Sequence, residues 1–222
     1  MGYENINFFS LKKLTDFKEL SSDLYLLLQL EINLFFWGEN CDMRKLLNEE
    51  LNRLEIEEFK KAEKVPIVVL LDNIRSMNNI GSVFRTADAF LIESIFLCGI
   101  TAIPPHKDIH KTALGATDSV EWKYFEKTED AINLLRSEDY HILGIEQTED
   151  SIMLQDFIPE PSVKYGVVFG HEVRGVQQGI IDQCDQILEI PQFGTKHSLN
   201  ISVCAGVVIW EMYQKLKHKK SD

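Results

Sequence analysis

The chain has 222 residues, 45% of them hydrophobic, and a formal net charge of −12. That is enough apolar material for one well-buried domain, or a domain with a small appendage, and the even spread of aromatic and branched residues excludes disorder. The acid excess argues against a nucleic-acid partner unless a local basic patch supplies the contacts.

Residues 1–42 mix polar and apolar residues irregularly, ending in Trp37-Gly38-Glu39-Asn40, and are read as an N-terminal extension. The opening Met1-Gly2-Tyr3-Glu4-Asn5 has neither the basic n-region nor the small-residue cleavage site of a secretory signal. Leu24–Trp37 is the most apolar run, yet it is short for a membrane span and carries Glu31 and Asn33. These features point to the cytoplasm and to no membrane association. From Met43, which also offers an alternative start of translation, apolar residues recur at helical spacing through Leu51, Leu54 and Phe59, which predicts a helical lead-in over 43–64. The extension ahead of it is then either dispensable or a helical appendage that binds substrate.

Residues 65–222 read as one domain. Strands are expected at Ile67–Leu71, Ser94–Cys98, Val120–Phe125, Tyr140–Glu146, Tyr165–Phe169 and Gln186–Ile190. Helices are expected at Ile80–Phe90, Ala131–Arg136, Val176–Cys184 and Leu199–Leu216. Continuous apolar strands alternating with helices predict an α/β fold whose largely parallel sheet is covered on both faces. The four cysteines, Cys41, Cys98, Cys184 and Cys204, never form a C-x-x-C pair, and three sit in apolar runs. They read as reduced core residues, neither disulfides nor metal ligands.

Three segments break the pattern of an ordinary core. The first strand runs into Asp72-Asn73-Ile74-Arg75-Ser76-Met77-Asn78-Asn79-Ile80-Gly81, with Arg85 further along the helix and Asn79 as a possible cap. Polar residues at the carboxyl end of a strand sit where open α/β sheets bind ligands; the plainer reading is a capped helix with a solvated arginine. The second segment, Phe169-Gly170-His171-Glu172-Val173-Arg174-Gly175-Val176, has two glycines that let backbone approach a ligand and a carboxylate at a helix entrance. It is neither a dinucleotide fingerprint nor a Walker loop, and by itself it also fits a plain strand–helix turn. The third, Ile190-Pro191-Gln192-Phe193-Gly194-Thr195-Lys196-His197-Ser198-Leu199-Asn200-Ile201-Ser202, leads into an apolar helix that Ser198 or Asn200 opens. A buried asparagine and a second serine in its first turn need partners.

These segments, in this order, resemble the three motifs of the SpoU (TrmH-like) branch of the SPOUT methyltransferases. Asn79-Ile80-Gly81 with Arg85 matches the first, Gly170-x-Glu172-x-x-Gly175 the second, and Ile190-Pro191 with Gly194 and Ser198-Leu199-Asn200-x-Ser202 the third. Gln192 stands where many relatives carry methionine, which adjusts the cofactor pocket. The resemblance runs from about Pro66 to the C-terminal helix. It implies a SPOUT α/β knot, with a mostly parallel sheet flanked by helices and a C-terminal trefoil knot, one of the rare exceptions to unknotted topology. It also implies S-adenosyl-L-methionine as cofactor, no metal, and a homodimer.

By the same resemblance Gly170, Ile190, Gln192 and Leu199 hold the cofactor, and Arg85, Asn79, Glu172, Ser198 and Asn200 form the reaction centre. The expected activity is methylation of a ribose 2′-hydroxyl in a structured RNA, with tRNA favoured over rRNA. Guanidinium stays protonated under nearly all conditions. Arg85 is therefore read as gripping the phosphate beside the target ribose, with proton acceptance by Arg85 left open. RNA contacts are expected from Arg75, Lys107, His110, Lys111, Arg174, Lys196 and the lysine-rich tail from Lys215, although that tail is also a plain solubilising helix end. Two rival readings are a non-catalytic RNA-binding protein on the same knotted scaffold and a phosphate-binding α/β enzyme using the Gly170–Gly175 turn. The absence of a Walker lysine speaks against the latter.

Overall fold

Val65–Asp72 carries β-branched and leucine side chains on both of its faces, and it forms β1 of a sheet buried from both sides. A computed structural model describes residues 44–218. The other strands are β2 (Ile92–Cys98), β3 (Glu121–Phe125), β4 (Tyr140–Ile145), β5 (Ile152–Met153), β6 (Lys164–Phe169) and β7 (Gln186–Glu189). They lie in the order β3-β2-β1-β6-β4-β7-β5, and every pairing is parallel. The helices are α1 (Ile56–Lys61), α2 (Met77–Ala89), α3 (Lys107–Ala113), α4 (Ala116–Ser119), α5 (Thr128–Ser137), α6 (Gln178–Ile181) and α7 (Ile201–His218).

The period-two pleat of β1 sorts its side chains into two cores. Ile67, Val69 and Leu71 join Val83, Phe84, Ile109, Ala205 and Met212 on one face. Val68 and Leu70 join Ile132 and Leu135 of α5 and Ile180 of α6 on the other. Cys98 is buried, and burial pushes the thiols of Cys98, Cys184 and Cys204 up to about 12, so they stay protonated core residues. Cys41 lies outside the described residues.

Several boundaries depart from the sequence pattern for identifiable reasons. The N-cap of α2 is Ser76, whose Oγ accepts the Asn79 N–H at 3.3 Å, so the helix starts a turn before Ile80 and Asn79 is not its cap. Only Gln178–Ile181 of the expected Val176–Cys184 helix is helical, because the residue before it, Gln177, is extended at ψ 147. The helices α3 and α4 were not expected: 7 and 4 residues are too few to reveal a 3.6-residue period. The lead-in is not one helix. The chain divides into two units between Asn52 and Arg53. Of the first, residues 44–52 show a 3₁₀ turn at Asn48–Leu51, an Arg44–Glu50 ion pair of 2.6 Å, and Asn52 in the left-handed region at φ 44. Leu46, Leu47 and Leu51 are exposed there, so among the described residues their helical spacing buries no apolar face. In the second unit α1 buries Phe59 alone of its residues.

No helix among the described residues is long and apolar enough to cross a membrane.

Candidate functional site

The chain adds β2 and β3 on one side of β1, then crosses to β4, with β6 between β1 and β4. That reversal is the switch point at which doubly wound sheets open a crevice beyond the strand carboxyl ends. The loops after β1, β4, β6 and β7 all emerge on that edge. All three unusual sequence segments are therefore delivered to one place.

Glu172 ties the first two together. Its carboxylate accepts the backbone N–H of Ser76 at 2.9 Å and of Arg75 at 3.2 Å. Burial pushes this carboxyl up, but the N–H groups of Ser76, Glu172 itself and Arg75 together outweigh burial and hold it below its ordinary value. Asn79 ties the first to the third: its Oδ1 accepts from Asn200 Nδ2 at 3.2 Å. Asn200 in turn accepts from the backbone N–H of Ser202 at 2.9 Å and from its hydroxyl at 2.7 Å, which caps α7. Asn200 is exposed, not buried as expected; partners on two segments satisfy it without burial.

The second segment is a tight turn, and no helix begins at Glu172. His171 and Gly175 exchange backbone hydrogen bonds of 3.1 and 2.8 Å, and His171 Nδ1 accepts the Val173 N–H at 3.0 Å. Gly175 has φ +63, and a Cβ there would stand 1.9 Å from Glu146 Oε2. A Cβ on Gly170 would stand 2.2 Å from the Gly175 carbonyl carbon. Both glycines are therefore required for this close approach of backbone to backbone and to Glu146.

A cavity of about 340 Å³ opens between these loops. Four expected cofactor residues, Gly170, Ile190, Gln192 and Leu199, line it, as do Glu172, Ser198 and Arg174. Asn79, Asn200 and Arg85 do not. Asn79 and Asn200 brace its edge through their hydrogen bond. Arg85 is exposed on α2 and lines a separate groove with Ser82, Thr86 and Lys111. Of the other expected RNA contacts, Arg75, Lys107, His110, Lys111 and Lys196 are exposed, none of them lining the cavity. Lys215 belongs to the fold: its Nζ donates to the carbonyls of Leu154, Gln155 and Phe157 at 2.8–3.0 Å and pairs with Glu211.

Sequence reasoning missed Glu146, His171 and Cys204, which also line the cavity. Glu146 accepts the Val176 N–H at 2.9 Å and the Gln147 N–H at 2.9 Å, so it holds the motif turn from the β4 side. Its signal was a lone carboxylate ending an apolar strand. The Cys204 thiol, pushed up to about 12 by burial with Glu146 adding to it, offers no nucleophile. Asp72, 2% exposed at the end of β1, accepts from Thr128 and Asn73, and burial raises its carboxyl. Among the described residues no group of three or more His, Cys, Asp and Glu side chains converges to hold a metal ion.

The SpoU rRNA Methylase family model matches residues 66–210. A protein of Staphylococcus saprophyticus assigned to the TrmH family of tRNA/rRNA methyltransferases is 27% identical over 156 residues, covering 70% of this chain and 61% of that protein. The 23S rRNA (guanosine-2′-O-)-methyltransferase RlmB of Neisseria meningitidis is 26% identical over 172 residues, 76% of this chain and 68% of that one. The chain thus spans less than two thirds of the length of the staphylococcal relative. Among solved structures, an AdoMet-bound rRNA methyltransferase from Sinorhizobium meliloti superimposes with a TM-score of 0.64 at 23% identity, over 71% of this chain and 60% of that chain. The TrmH/SpoU tRNA modifying enzyme of A. aeolicus gives 0.65 at 21% identity, over 74% and 82%. At such identities these likenesses speak for the fold.

Proposed function

Because the chain belongs to the SpoU rRNA Methylase family, we propose that it transfers the methyl group of S-adenosylmethionine to a ribose 2′-hydroxyl of a structured RNA, tRNA in preference to rRNA. The observation that carries this reading is the meeting of the three motif segments around one cavity at the sheet's switch point. The name of the Neisseria relative, a guanosine-2′-O-methyltransferase, supports the ribose oxygen as acceptor.

The residues present fit the cofactor. The cavity's volume of about 340 Å³ falls in the range of small-molecule sites, about 300–1,000 Å³. Its lining mixes Ile145, Phe169, Ile190 and Leu199 with exposed backbone and the amide of Gln192, which suits a nucleoside joined to an amino acid. Bound there, S-adenosylmethionine supplies an already activated methyl group. The protein's tasks are then alignment and handling of a poorly acidic hydroxyl. The backbone at Gly170, Ile190 and Leu199 holds the ligand, with Gln192 beside it. Glu172, Asn79 and Asn200 fix the loops that shape the cavity, and Ser198 lines it beside them. Arg85, outside the cavity and beside Lys111, grips the phosphate next to the target ribose and so orients the hydroxyl, with its planar fork matched to phosphate. Exposed Arg75, Lys107, Lys196 and Arg174 extend the contact to RNA.

We read the C-terminal part as closing a trefoil knot. Supporting this, β7 fills the slot between β4 and β5, consecutive strands whose connection spans it, and Lys215 of α7 binds the carbonyls just after β5. We also read the protein as a cytoplasmic homodimer. Val208, Ile209 and Met212 of α7 are buried, whereas Val203, Val207 and Trp210 are exposed at 53, 41 and 45% and share one face at i, i+4, i+7 spacing. Residues 1–42 and 43–64 are taken as an extension and a lead-in to the methyltransferase domain at 65–222.

The test is methyl transfer from tritiated S-adenosylmethionine to separated tRNA and rRNA, followed by nucleoside mass spectrometry. Ribose-methylated nucleosides from tRNA are expected. Base methylation, or no incorporation into either RNA, rejects the reading.

A further inference from the structure

A second cavity, of about 240 Å³, opens beside α3 and shares no lining residue with the first. Half of its lining is apolar: consecutive Pro104 and Pro105, buried Ile109, and Trp122, which packs onto the core; His106, His110, Thr117 and Asp118 supply the polar half. Its volume lies below the range of about 300–1,000 Å³ typical for drug-sized ligands, which suits a single planar ring system.

The polar groups at its rim form a pattern. His106 Nδ1 accepts the Asp108 N–H at 3.2 Å, so the other ring nitrogen, Nε2, carries a proton in both the neutral and the charged imidazole and is a donor either way. Asp118 presents an exposed carboxylate, which only accepts. We propose that this pocket takes an unpaired guanine base of the RNA substrate, a nucleotide apart from the methylated one; this rests on the methyltransferase reading. Guanine places two adjacent donors, N1–H and the 2-amino group, on its Watson–Crick edge, where one carboxylate engages both, and its O6 and N7 are acceptors for the His106 N–H. The amino group of adenine or cytosine sits beside a ring acceptor, which a carboxylate repels, and uracil has a single imino donor between two carbonyls. Unpaired bases read on this edge and stacked on aromatic planes are the usual mode of sequence recognition in RNA.

The backbone of such a nucleotide also has a place. Lys107 and Lys111 are exposed and one turn apart on α3, so they form a ridge along the helix. His110, adjacent in sequence to Lys111, faces the pocket, while Lys111 lines the groove that holds Arg85. Phosphates can therefore run from Arg85 across the lysine ridge, and the carboxylate of Asp118 is left to face a base edge and not a phosphate. A phosphate itself would be repelled there.

Trp122 reports occupancy directly. Guanosine 5′-monophosphate is titrated into the full chain at millimolar concentration while the Trp122 indole N–H resonance is followed, in parallel with the adenosine, cytidine and uridine monophosphates. Guanylate should shift the resonance, and each of the others should bind at least about tenfold more weakly, the discrimination expected of one bidentate contact. Asp118→Asn, at an exposed position, should weaken guanylate about tenfold or more with thermal melting and S-adenosylmethionine affinity unchanged. Equal responses to all four nucleotides, or guanylate binding indifferent to Asp118→Asn, overturns the assignment. An enzyme that methylates RNA while Trp122 ignores guanylate overturns the pocket and leaves the methyltransferase reading standing. Guanylate binding that Asp118→Asn abolishes, in a protein that methylates no RNA, upholds the pocket's base preference and sinks the methyltransferase reading alone.

Discussion

Replacing Glu172 with glutamine tests whether the cavity depends on the bond between the first two motif loops. The carboxylate accepts two backbone N–H groups, from Ser76 at 2.9 Å and Arg75 at 3.2 Å. The amide keeps one acceptor but turns an NH₂ group toward the other N–H. A hydrogen bond to a charged acceptor contributes about 1.5–3 kcal/mol. Losing one and weakening the other in a half-buried position then costs on the order of 1–2 kcal/mol of loop docking, after discounting for solvent. If the undocked loops bind cofactor poorly, affinity falls roughly five- to thirtyfold, since about 1.4 kcal/mol is a factor of ten. The pH dependence follows from the sign of the shift. The Glu172 carboxyl lies below its ordinary 4.5, so its contribution is present above 4.5 and is lost as pH falls through the lower folded value. Calorimetric titration of wild type and Glu172→Gln with S-adenosylmethionine between pH 8 and pH 5 should show a constant gap. Wild type should keep that advantage until the pH drops below about 4.5. A variant that binds within twofold of wild type, with normal melting, refutes the argument that this bridge shapes the site.

Arg85→Ala should abolish methyl transfer with cofactor affinity almost unchanged, because Arg85 lies outside the cavity; Arg85→Lys should rescue little, lacking the planar fork. Parallel transfer and calorimetric assays decide, and cofactor loss as severe as in Asn200→Ala would return Arg85 to a structural role. Asn200→Ala removes the α7 cap, at about 0.5–2 kcal/mol, and the link to Asn79, so cofactor binding and melting temperature should fall together. Gly175→Ala combines a left-handed φ of +63 with a Cβ 1.9 Å from Glu146 Oε2. It should lose cofactor affinity at least about tenfold, from about 1–2 kcal/mol of backbone strain plus a displaced carboxylate; wild-type affinity would contradict the need for glycine. Burial raises the Asp72 carboxyl above 3.8, so Asp72 costs stability as pH rises through that window. Asp72→Asn keeps an acceptor for Thr128 and Asn73 and should raise the melting temperature at pH 7 by about 2–4 °C, roughly 1 kcal/mol. A lower melting temperature would show that the charge itself is needed.

Strands such as Ile67–Leu71 and Tyr165–Phe169 were legible because burial on both faces forces unbroken apolar runs, and no helix period competes over so few residues. The motif residues were legible through their resemblance to a family, and the hydrogen bonds of Glu172 and of Asn79 with Asn200 supply the geometry that spacing alone lacks. What failed were short-range decisions. Ser76 and Asn79 are both good caps, and which one serves depends on whether Asn200, 121 residues away, claims the Asn79 side chain. Leu46, Leu47, Leu51 and Leu54 keep helical spacing yet are exposed among the described residues. Glu146 escaped because its role depends on Gly175 closing against it from β6, a contact set by sheet order, which no local pattern reveals.

On the proposed function, a net charge of −12 leaves RNA contact to local cations, because acids stand on both sheet faces, Asp88 of α2 and Asp108 of α3 included. Asp182 and Asp185 stand at or near α6, and Glu129 and Asp130 open α5, on the sheet face opposite α2 and α3. Arg75 and Arg85 lie on α2 and the loop before it, Lys107 and Lys111 on α3, and Arg174 and Lys196 on the two loops that shape the cavity. Screening limits surface charges to about 8–10 Å at physiological salt. A phosphate near Arg85 therefore responds to the cations of its own groove more than to carboxylates across the sheet. Lys215, the one cation of the tail region with a described side-chain network, is spent on three carbonyls inside the fold and adds nothing to that surface. On the proposed function, the total charge does not decide contact with RNA; the few cations that the switch point and the α2–α3 pair bring together would make it.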